Sequence, residues 1–144
     1  MYERVLPYGK TVRMGWARPD ISLNLMSSRI RSIPDYYASG FLVEVMGLGR
    51  DGVLKLKEDK WDALRWWNTS GNPVSLFVWN SSTSEYALIE WGVLVRLVAM
   101  GRAAGVLAFE VDGNRYYPIR WEWVIARCGA THYPPAGEGD ATVQ

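Results

Sequence analysis

Pro34-Asp35-Tyr36-Tyr37-Ala38-Ser39-Gly40-Phe41-Leu42-Val43-Glu44-Val45-Met46 is the stretch on which the fold turns. Ser39-Gly40 is a turn signal between two runs of strand-forming residues, which predicts a β-hairpin with strands over residues 32–38 and 41–46. Side chains alternate across a strand, so Leu42, Glu44 and Met46 share one face while Phe41, Val43 and Val45 share the other. A carboxylate in the middle of an apolar strand is costly to bury unless it is paired or binds a metal. The hairpin brings Asp35 near Glu44, and two carboxylates so placed make a hard-oxygen site suited to Mg²⁺ or Mn²⁺.

Upstream, Arg18-Pro19-Asp20 is a helix start signal, followed by Ile21, Leu23, Leu25, Met26 and Ile30 at helical spacing. Downstream, residues 47–52 form a glycine-rich turn, and residues 53–57 alternate apolar with basic as a third strand. Residues 58–68 are the clearest helix, with Glu58 and Asp59 in the first turn and Trp61, Leu64 and Trp67 on one face. Asn68-Thr69-Ser70-Gly71-Asn72-Pro73 ends it, and residues 74–79 follow as a short buried strand. Residues 86–91 suit an edge strand, and residues 93–100 a buried helix whose valines leave a strand open as the alternative. Residues 106–111, a turn at Asp112-Gly113-Asn114 and residues 116–123 predict a second hairpin. Residues 1–18 lack any period and are expected as an N-terminal arm, residues 19–132 as a single domain, and residues 133–144, rich in Pro, Gly and acid, as a tail.

Pro34-Asp35, eight intervening residues, then Glu44-Val45-Met46 resembles the PD-(D/E)xK signature of the restriction-endonuclease and resolvase superfamily. The flanks agree, and the resemblance covers residues 19–80. It implies an α/β (α+β) fold: a restriction-endonuclease-like core, αβββαβ, with a mixed sheet flanked by helices, here extended by a C-terminal hairpin. It also implies that Asp35 and Glu44 hold a Mg²⁺ or Mn²⁺ ion that activates water and stabilises phosphate charge. The superfamily's lysine falls at Met46, which cannot donate a proton, orient water or offset negative charge. Such lysines sometimes migrate to nearby positions, and Lys55, Lys57 and Lys60 are the available substitutes. Against that stands their plain reading as the solvated edge of a strand and face of a helix. Losing one electrostatic stabiliser typically costs a factor of ~10²–10³ in rate.

Gly47-Leu48-Gly49-Arg50-Asp51-Gly52 matches G-x-G-x-x-G, but an extended segment follows where a dinucleotide site needs a helix. A tight turn is the reading left, with Arg50 as a candidate phosphate contact. One His and one Cys exclude a zinc cluster and an intramolecular disulfide. Sixteen basic and fifteen acidic side chains give a net charge of +1, which argues against a dedicated DNA binder. The longest apolar run, residues 92–101, is broken by Arg96 and falls short of the ~20 residues that span a bilayer, and no secretory signal opens the chain. No membrane partner is expected.

Two functions follow from different classes. Neutral charge and Met46 favour a catalytically degenerate PD-(D/E)xK-like domain that serves as a structural or assembly protein, not an enzyme and without a cofactor. The alternative is a Mg²⁺-dependent DNA endonuclease or Holliday-junction-resolvase-like enzyme. The texture of the chain, rich in Trp, Arg and Gly, also resembles small proteins of the head-and-tail gene block of tailed actinobacteriophages. That resemblance implies a head-tail connector component, located in the virion or host cytoplasm and partnered by protein subunits of a larger assembly. A homo-oligomer is expected, with DNA as a second candidate partner. On this reading residues 1–18 and 133–144 contact neighbouring subunits rather than their own domain.

Overall fold

A computed structural model describes residues 11–13, 33–38, 40–108 and 113–133; the helix expected before Pro34 and the tail beyond Tyr133 lie outside them. The expected hairpin forms between β2 (Tyr36–Ala38) and β3 (Phe41–Gly47), antiparallel, with Tyr36 opposite Val43 and Ala38 opposite Phe41. Gly40 takes a φ of +87°, a conformation that explains glycine at the turn. On the outer edge of β2 lies β1 (Thr11–Arg13), so these three residues of the expected arm belong to the domain's own sheet.

The third strand, β4 (Val53–Lys57), forms where expected but does not join this sheet. β2 pairs along the Phe41–Val43 end of one side of β3, and β5 (Val74–Asn80) runs parallel along the other side with Glu44 in register with Leu76. The Val45 N–H, two residues past the β2 ladder, is occupied by the Asp35 carboxylate. β4 pairs antiparallel with β8 (Arg115–Arg120), which in turn pairs with β7 (Leu107–Ala108). The expected single mixed sheet is therefore two sheets. Within the turn between β3 and β4, the Gly49 N–H donates to the Val53 carbonyl, and the Asp51 carboxylate accepts from the Val53 N–H at 3.1 Å.

α1 (Glu58–Thr69) begins directly after β4, its acidic first turn meeting the positive helix end. It ends at Ser70 and Gly71, and the Asn68 side chain accepts from the Val74 N–H at 3.0 Å, fixing the entry to β5. β6 (Glu85–Glu90) pairs antiparallel with β5, and β9 (Thr131–His132) pairs with β6. β6 is thus interior rather than an edge strand. α2 (Trp91–Ala104) confirms the helix read for its segment over the strand alternative, although Val95 and Ala99 are exposed and only one stripe is buried. The second hairpin stops at Arg120: residues expected to continue as strand form α3 (Trp121–Cys128).

The principal core fills one face of the six-stranded sheet. Leu42, Leu76, Val78 and Ile89 meet Trp61 and Leu64 of α1, Leu94 and Leu97 of α2, and Leu54, Leu56 and Ile119 of the smaller sheet. The opposite face buries Val43 and Phe77. The result is a mixed α/β fold in which helices flank a mainly antiparallel sheet with one parallel pair. Among the described residues, no helix is long and apolar enough to cross a membrane.

Candidate functional site

Along β3 and β5, the row facing the principal core reads Leu42, Glu44, Met46 against Val74, Leu76, Val78. Glu44 is the one charged residue in that row, and it is 3 % exposed. Its neighbour across the hairpin is Asp35. The β2–β3 register, continued one residue past Tyr36, sets Asp35 opposite Glu44. Oδ2 of Asp35 accepts the Val45 N–H at 2.8 Å, which places it within about 5 Å of the Glu44 Cα.

Lys60, in the first turn of α1, completes the group. Its Nζ donates to Oε1 of Glu44 while the side chain keeps 30 % exposure. Its position follows from the junction: α1 starts with no intervening loop, so its first turn stays over the end of β4 and beside β3. Among the three lysines weighed as substitutes, Lys60 is the one whose ammonium is paired with Glu44. Lys55 lies 3.4 Å from Asp51 and over the Tyr116 ring. Lys57 is the extended residue that precedes α1. Arg50 is exposed on the turn, away from this group, and Met46 packs half-buried against the principal core.

The electrostatics are unbalanced. Among the described residues, Oε2 of Glu44 is buried without a hydrogen-bond partner. Burial pushes the Glu44 carboxyl up from 4.5 to about 7; Lys60 opposes the rise and the Asp35 charge adds to it. An acid in this state is half-ionised near neutrality, and a further cation would complete its ionisation. Asp51, by contrast, is held below the usual carboxylate range chiefly by the Val53 N–H and then by Lys55, as a turn-organising residue would be.

Among the described residues, no cluster of three or more Asp, Glu, His or Cys forms. A soft or high-coordination metal has no cage here. Mg²⁺ or Mn²⁺ needs only one or two carboxylates and keeps its waters, and the orphaned Oε2 beside Asp35 matches that demand.

No family model matches the chain, and no curated protein matches it. The functional reading rests on the residues themselves.

Proposed function

We propose that this protein is a Mg²⁺- or Mn²⁺-dependent phosphodiester hydrolase of nuclease type, with Asp35 and Glu44 as the metal-holding carboxylates and Lys60 in the role vacated at Met46. The observation that carries this reading is the Lys60–Glu44 contact. The expectation of a degenerate site rested on neutral net charge and on the cation missing at Met46, and the first turn of α1 offers a cation at the carboxylate itself.

Asp35 and Glu44 would hold the ion, which supplies an activated water and stabilises charge on phosphate. Asp35 is oriented for this by the Val45 N–H, which also ties it to the strand carrying Glu44. Glu44 offers Oε2 while Oε1 stays with Lys60. Lys60, partly exposed, can turn its ammonium toward a phosphate without leaving the site. The test is Mn²⁺ binding followed by calorimetry and by the electron paramagnetic signal of the free ion. Affinity is expected to rise with pH through about 7, because Glu44 must lose its proton. Asp35→Asn and Glu44→Gln should each weaken binding by roughly 10–100-fold or more. Binding indifferent to both substitutions would exclude the assignment.

A second reading, an assembly protein on a nuclease-like fold, is favoured by the 3 % exposure of Glu44. In that case the Lys60–Glu44 pair only ties α1 to β3, and the protein binds no Mn²⁺ at this site.

A further inference from the structure

α1 and α2 do not close on one another along their length. Between them lies a groove of about 470 Å³ whose walls include Trp61 and Arg65 from α1 and Trp91, Val95 and Arg102 from α2. The Trp61 and Trp91 rings stack at 5.0 Å and 17° and form one end of its apolar floor. Trp91 is half-buried and Val95 is 42 % exposed, so the floor is open to a ligand. Among the described residues, the charged groups lining the groove are both positive, Arg65 and Arg102. The Arg102 guanidinium lies over the Tyr117 ring at 5.4 Å from its centroid, with Nη2 3.5 Å from the phenol oxygen. A planar fork held this way is pre-oriented for a phosphate or carboxylate.

We propose that this groove seats a single-stranded segment of nucleic acid, with phosphates at Arg65 and Arg102 and a base against Trp91 and Val95. Two features select this occupant. A positively charged track beside accessible aromatic surface, here the half-buried Trp91, is the usual construction for sequence-tolerant single-strand binding. The lining also includes Trp61, the residue after Lys60, so one wall of the groove shares the first turn of α1 with the Asp35–Glu44–Lys60 group. Its volume is that of a small-molecule pocket, enough for a nucleotide or two and too small for a duplex. The lining stripe of α2, from Trp91 to Arg102, runs about 16 Å at the rise of a helix. The proposal names the substrate of the nuclease-like site and rests on that reading only for the direction in which the strand leads.

The experiment is fluorescence anisotropy of a labelled deoxythymidine ten-mer with the full chain in EDTA, where no cleavage occurs. Binding should weaken with salt, and Arg65→Ala and Arg102→Ala should each reduce the slope of log affinity against log salt by about 0.7. Val95→Glu should abolish binding; thermal melts establish that each variant is folded. Absence of ten-mer binding, or binding indifferent to both arginines, overturns the proposal. So does a groove that takes an acidic amphipathic peptide but no ten-mer. The two readings fail separately. Ten-mer binding as described without Mg²⁺-dependent cleavage leaves the groove and removes the nuclease. Cleavage of single strands with an unchanged KM in the Arg65→Ala, Arg102→Ala double variant leaves the nuclease and removes the groove.

Discussion

Glu44 sits where a leucine would pack, and the chain answers its charge only in part. Oε1 has Lys60, Oε2 has no partner among the described residues, and Asp35 adds a second negative charge nearby. The pH dependence of stability follows. Because the folded carboxyl binds its proton up to about 7 and the unfolded one only to about 4.5, the native state holds more protons in that window. Stability from this group is therefore complete below about 4.5 and declines as pH rises through about 7, by an amount on the order of 3 kcal/mol. Urea unfolding at pH 5 and pH 8 measures it: Glu44→Gln should flatten the decline, and an unchanged slope would mean the carboxyl ionises freely in the fold. Asp35 and Glu44 were legible in the sequence because period-two alternation exposes a misplaced acid. The partner was not. Lys55, Lys57 and Lys60 are equivalent by spacing alone, and only the absence of a loop between β4 and α1 selects Lys60.

At the scale of elements, local pattern served well where one periodicity ruled and failed where two coexisted. The β2–β3 hairpin, α1 and β5 follow from turn chemistry and apolar spacing. Residues 119–124 satisfy both periods: Ile119, Trp121 and Trp123 alternate as a strand would, while Trp121 and Val124 lie three apart as in a helix, and burial of Trp121 and Val124 decides for α3. Pairing partners were less legible still. That β4 pairs with β8 and not with β3 is a long-range choice, which no local signal reports. The contact that locks the smaller sheet against α2 is at Gly101, where an added Cβ would meet the Pro118 carbonyl oxygen at 2.6 Å. The obstacle is backbone and cannot swing aside. Gly101→Ala should therefore destabilise the fold by about 1–3 kcal/mol despite alanine's better helix propensity. A stabilised variant in chemical denaturation would show that α2 and β8 are less closely apposed.

Over the whole molecule, segments far apart in sequence close the main sheet. β1 covers one edge and β9 the other, and the Tyr133 N–H donates to the Ser84 carbonyl at 2.8 Å. Thr11–Arg13 and Tyr133 thus serve their own domain, contrary to the expectation that residues 1–18 and 133–144 contact neighbouring subunits instead. A chain cut after Ala130 leaves β6 with an unpaired edge and should form soluble aggregates on size exclusion where the full chain does not. The fold brings the two carboxylates of one hairpin under the first turn of a helix, and the account stands on what that juxtaposition does. Its most direct measurement is Mg²⁺- or Mn²⁺-dependent cleavage of labelled DNA by four proteins: wild type, Lys60→Met, Met46→Lys, and the double variant that moves the lysine back to the strand. The wild type should cut, Lys60→Met should lose a factor of ~10²–10³, and the double variant should recover much of that loss. A wild type that cuts no substrate with either ion, or a Lys60→Met protein that cuts as well as the wild type, would contradict it.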